Sequence, residues 1–140
     1  MIKKFSILSM LLLAMCSMVL VSCSDDDDNG EQKSLIVGTW VSVETEGKYT
    51  TTSTVTFNTD GTFLNVEEVT GESAYKVRGS YIVKGNKLAI VVSEIFDPED
   101  YGDNEWHKVK EERNECTFEV KGDKLYLYSA QGSSVVFVKK

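Results

Sequence analysis

Glycine punctuates residues 35–140 at short, even intervals. Glu46-Gly47, Asp60-Gly61, Gly71, Gly85-Asn86, Gly122-Asp123 and Gly132 each separate two runs rich in β-branched and aromatic residues. Glycine supplies the positive φ that tight hairpin turns require. Proline, which breaks strand ladders, occurs once, at Pro98. The pattern predicts strands over 35–43, 50–58, 62–70, 74–83, 87–95, 114–121, 124–129 and 134–139. Connections this short pair neighbouring strands as antiparallel hairpins. No helix-length segment intervenes, so a parallel sheet is not expected.

Alternation within the runs supports strands. Val55 and Phe57 alternate with Thr54 and Thr56. Tyr75, Val77, Tyr81 and Val83 share one face, and Cys116, Phe118 and Val120 share another. Two runs, "LAIVV" and "VVFV", are apolar on both faces and either lie deeper or face a partner. Eight antiparallel strands in chain order close into an up-and-down barrel, which removes exposed edges. Gly79 inside a strand marks a bend or bulge, as at a barrel corner. A two-sheet sandwich fits the same strand signals.

The other end of the chain has a different texture. Lys3 and Lys4 precede a run from Phe5 to Val21 without a charge, as in an export signal. Leu20-Val21-Ser22-Cys23 then leads into Ser24-Asp25-Asp26-Asp27-Asp28. The first four residues resemble the bacterial lipobox. The resemblance implies cleavage before Cys23 and lipidation of its thiol. Several buried acyl chains anchor firmly, at about 0.8 kcal/mol per CH₂. Ser24 to Asp28 resemble the export tether of surface lipoproteins in Bacteroidetes, which implies an outer-membrane location facing the cell surface. Four adjacent carboxylates also repel one another and hold the chain extended. The expected organisation is a lipoprotein signal peptide at 1–22, a lipidated acidic tether at 23–34 and a β-barrel domain at 35–140.

Charge narrows the partners. The whole chain carries −7. Loss of residues 1–22 removes Lys3 and Lys4 and no acid, so the mature charge is −9. Nucleic acid is not expected, because phosphate binding needs a basic face. Adhesion to anionic lipid by charge is not expected either. With Cys16 in the leader and Cys23 acylated, Cys116 has no partner for an internal disulfide.

Several segments of the body resemble the lipocalin-like domain of Bacteroidetes lipoproteins. Gly38-Thr39-Trp40 in "LIVGTWV" is similar to the Gly-x-Trp that opens the lipocalin barrel. "TVTFNTDGTF", "GSYIVKGNKLAIV" and "TFEVKGDKLYLY" follow in the expected order. The resemblance implies an all-β fold with a single barrel of about eight strands. It departs at the C-terminus, where lipocalins pack an arginine across the motif tryptophan. Here "VVFVKK" offers only Lys139 or Lys140, and lysine lacks the planar stacking face.

Polar chemistry is sparse. His107 is the only histidine and sits in the charged stretch "DNEWHKVKEE", which reads as an exposed surface position. A zinc site lacks a second histidine, and Cys116 reads as a buried inert thiol. Asp97, Glu99, Asp100, Asp103 and Glu105 crowd around Gly102. An EF-hand would need Asp or Asn four residues after Asp97, where Tyr101 stands, so this reads as a solvated loop, with calcium ligation as the alternative. The connection over 96–112 is the longest, and Tyr101 and Trp106 give it aromatic anchors. Trp106 capping the barrel is an alternative placement.

No catalytic set, cofactor motif or metal site is expected. The functional expectation is non-enzymatic binding of a small apolar or amphipathic molecule inside the barrel. Trp40, Phe57, Phe63, Tyr81, Ile90, Phe118 and Leu127 would line it. The alternative is a filled barrel that binds another envelope protein through the 96–106 loop and the doubly apolar strands.

Overall fold

The chain reverses direction at each glycine-marked turn, and each run pairs with the next. In a computed structural model, which describes residues 30–140, a helix α1 (Gly30–Ile36) leads into eight strands. They are β1 (Gly38–Glu46), β2 (Tyr49–Phe57), β3 (Thr62–Val69), β4 (Tyr75–Lys84) and β5 (Lys87–Phe96), then β6 (Trp106–Lys121), β7 (Lys124–Tyr128) and β8 (Ser134–Lys139). A short helix α2 (Pro98–Tyr101) lies between β5 and β6. All neighbours pair antiparallel in chain order, and β1 meets β8 to close an up-and-down barrel. The sandwich alternative is thereby replaced. The leader, Cys23 and the tether from Ser24 to Asp28 lie outside the described residues.

Turn chemistry fixes the register. Gly85 and Gly122 sit at φ +59° and +61° in two-residue turns. Lys84 therefore pairs with Lys87, and Lys121 with Lys124. The closing seam is short: Trp40 pairs with Lys139 and Val41 with Val138. Between Arg78 and Gly79 the register of β4 shifts against β5. The strand glycine thus marks an irregularity in the ladder, as its position implied.

Three boundaries differ from the sequence expectation. Residues 30–34, expected as the end of the 23–34 tether, belong to α1, and so do Leu35 and Ile36, expected as the start of a strand. Tertiary contacts explain the change. Ile36 is fully buried in the core, and its carbonyl oxygen accepts a hydrogen bond from Trp40 Nε1 at 2.8 Å. The connection expected over 96–112 is shorter, because β6 already begins at Trp106. Its first half is charged and lies mostly exposed. Pairing with β5 holds it, with Phe96 opposite Trp106 and Ile95 opposite His107.

Candidate functional site: the barrel interior

Inward positions alternate along every strand, so the interior can be read residue by residue. All seven expected lining residues, Trp40, Phe57, Phe63, Tyr81, Ile90, Phe118 and Leu127, are buried in one apolar cluster. Ile36, Val55, Val77, Val83, Leu88, Cys116, Leu125, Val135 and Phe137 belong to the same cluster. Phe57 and Tyr81 pack edge to face at 4.9 Å between ring centroids. Tyr81 donates its hydroxyl to the carbonyl of Asn58 at 2.7 Å, and burial pushes its pKa up. At this end α1 lies against the barrel, with Lys33 Nζ 5.6 Å from the Tyr81 ring.

Lys139 occupies the place the sequence reading left to Lys139 or Lys140. Its Nζ lies 5.3 Å from the centre of the Trp40 ring, within cation–π range. Gly38 permits this approach, because a Cβ there would meet Lys139 Cε at 3.2 Å.

The interior changes character toward the other end. On β3 the inward sequence is Phe63, Asn65, Glu67, and on β2 it is Phe57, Val55, Ser53. On β6 it runs Phe118, Cys116, Asn114. In each case the polar residue lies further from α1. Ser53, Asn65, Glu67 and Asn114 are all buried. The Ser53 hydroxyl donates to Asn65 Oδ1 at 3.1 Å, and Asn65 Nδ2 donates to Glu67 Oε1 at 3.2 Å. Tyr75 pairs with Glu67 across the β3–β4 ladder. Burial, reinforced by the Glu67 carboxylate, raises the Tyr75 phenol to about 12. It stays protonated at neutral pH. Sequence reading missed this belt because it assigned polar residues to the wet face. The signal was parity: Asn65 and Glu67 share it with Phe63, and Asn114 shares it with Cys116.

Cys116 is a free, buried thiol, and burial raises its pKa to about 12. The thiolate is the reactive form. Iodoacetamide at pH 8 is therefore expected to label Cys116 only when urea opens the barrel. Peptide mass mapping of native and urea-treated protein checks this, and rapid native labelling would contradict the burial.

The acidic connection is organised around its own backbone. Asp97 caps α2 by accepting from the N–H groups of Glu99 and Asp100, each at 3.2 Å. Glu99 Oε2 accepts from Ser73 N–H at 3.2 Å. Asp103 accepts from Glu105 N–H and lies 2.8 Å from His107 Nε2. That hydrogen bond lowers the pKa of Asp103. The His107 ring also stacks on Tyr101 at 3.8 Å. His107 is thus half-buried and engaged on both sides, where the sequence suggested a plain exposed position. Trp106 lies on the outer wall. The Arg78 guanidinium sits 4.0 Å over its ring and also bonds Glu94 at 2.7 Å. Phe96 flanks it at 5.7 Å. Trp106 and Tyr101 therefore belong to side-chain stacks along β4–β6 and α2, and capping of the barrel by Trp106 is replaced by this placement.

No protein-family model matches the chain, and no curated protein matches it.

Proposed function

We propose that this protein is a lipid-anchored, lipocalin-like barrel that binds a small apolar or amphipathic molecule without catalysing a reaction. One observation carries the reading: the interior is graded. Large apolar side chains fill the α1 end, and a hydrogen-bonded polar belt stands toward the other. A folding core gains little from buried polar groups, which cost free energy unless fully paired. A molecule with an oily body and a polar head complements such a gradient. On this reading Cys23 carries the acyl chains. Asp25 to Asp28 hold the barrel away from the outer membrane surface, facing outward.

A second reading has its own support on the outer wall. Val43, Val136 and Val138 are exposed, and Val41 pairs with Val138 while Tyr126 pairs with Val136. An apolar stripe on β1, β8 and β7 suits a protein partner. Native mass spectrometry of the protein from its own membranes separates the two. The acyl mass on Cys23 is expected in native and denatured spectra alike. A further mass lost on denaturation supports an interior ligand and weighs it. A native spectrum that holds a second protein and no small molecule would favour the partner reading instead.

A further inference from the structure

Asn114 Oδ1 in the polar belt is an acceptor that the described residues do not satisfy. Asn114 is 3% exposed, and its Oδ1 has no hydrogen-bond partner. An unmet buried carbonyl is unfavourable, and native proteins rarely keep one without a reason. Its position gives the reason chemical content. Asn114 shares the inward face of β6 with Cys116 and Phe118 and pairs with Ile90 on β5. It therefore stands where the apolar floor gives way to the belt. Ser53 and Asn65 direct hydrogen bonds at Asn65 and Glu67. Among the described residues no lysine, arginine or histidine is buried.

We infer that the interior ligand carries an uncharged hydrogen-bond-donating head, a hydroxyl, which donates to Asn114 Oδ1 on the inward face of β6. This inference rests on the interior-ligand reading above and adds the head-group class to it. A carboxylate head is selected against. It has no proton to donate to Asn114, finds no buried cation, and enters a belt that already holds the Glu67 carboxyl group. Leaving water without a partner is most unfavourable for an ion. A hydroxyl both satisfies the acceptor and loses less hydration.

Dodecan-1-ol and dodecanoate differ only in that head group. The mature lipoprotein, with its acyl chains, is incubated in detergent at pH 8 with equal amounts of both, and bound masses are read by native mass spectrometry. The Asn114→Leu protein is treated identically. Micelles take up the two competitors equally in both samples, so the change in alcohol-to-carboxylate ratio isolates Asn114. Wild type is expected to favour the alcohol about tenfold more than Asn114→Leu does, the worth of one hydrogen bond. Asn114→Asp keeps an acceptor and is expected to retain the preference, which provides a second reading should the leucine variant fail to fold. Equal ratios in wild type and Asn114→Leu, or parity in Asn114→Asp, would overturn the head-group inference and leave an interior ligand standing. Absence of either mass from wild type would overturn the interior-ligand reading itself, and the inference with it.

Discussion

Gly79→Ala is expected to destabilise the barrel by about 3 kcal/mol or more, at the upper end of what overpacking costs. The reason is contact, not backbone conformation, since Gly79 is absent from the glycines with positive φ. A Cβ at this position would lie 1.9 Å from the carbonyl oxygen of Val91, 3.0 Å from its carbonyl carbon and 3.1 Å from the backbone nitrogen of Ser93. All three are main-chain atoms of β5, so no side chain can rotate away. The strand itself has to move, at the point where β4 and β5 shift register. Gly47 supplies the comparison. It has φ +62° and nothing within 4 Å of a built Cβ. Gly47→Ala meets only the left-handed backbone penalty, roughly 1–2 kcal/mol. Urea unfolding followed by far-UV circular dichroism measures both. A Gly79→Ala midpoint equal to or above that of Gly47→Ala would show that β5 yields freely and that the close approach is not a constraint.

The turn glycines, unlike Gly79, show how the fold could be read before the structure. Turn glycines and period-2 runs placed eight strands in order, because both signals are local: a φ that only glycine adopts easily, and a face that must be oily. The signals that failed are those set by distant contacts. Leu35 and Ile36 read as strand by composition, yet Ile36 is held in α1 by its burial and by the Trp40 hydrogen bond. The first half of β6 carries charges on both faces and no burial pattern, so nothing local marks it as a strand. Its partner β5 imposes the conformation.

The candidate site divides along the same line. The apolar lining was legible because inward aromatic and aliphatic residues announce themselves by alternation. The polar belt was not, because a buried asparagine and a solvated one look alike until the partner strands are known. Asn65 acquires its meaning from Ser53 on β2 and Glu67 on its own strand. The acidic connection was read as a solvated cluster of carboxylates. Asp97, Glu99 and Asp103 each also accept a backbone N–H, Asp97 at a helix start and Asp103 two residues before its donor, as in an Asx turn.

Trp40 should be the most costly side chain to remove from the apolar floor. Trp40→Ala is expected to lose about 3–5 kcal/mol, the usual range for a fully buried tryptophan. Against a typical domain stability of about 5–15 kcal/mol, that loss threatens folding at ambient temperature. Three separate contacts act through this one ring. It is 0% exposed in the core, its Nε1 donates to Ile36 at 2.8 Å, and Lys139 Nζ lies over it at 5.3 Å. Its backbone also pairs with Lys139 at the closing seam. Trp40→Phe separates packing from polarity. It keeps an aromatic ring but loses the bond that ties α1 to β1, worth about 0.5–1.5 kcal/mol, and some ring area. The expected order of urea midpoints is wild type, then Trp40→Phe, then Trp40→Ala well below both. Hydrogen exchange locates the effect. If the indole fastens α1 to the barrel end, amides near Ile36 and along β8 lose protection in Trp40→Phe before the rest of the sheet does. Uniform loss of protection across all eight strands would mean that Trp40 acts only by filling volume, and that the tie between α1 and β1 contributes nothing of its own.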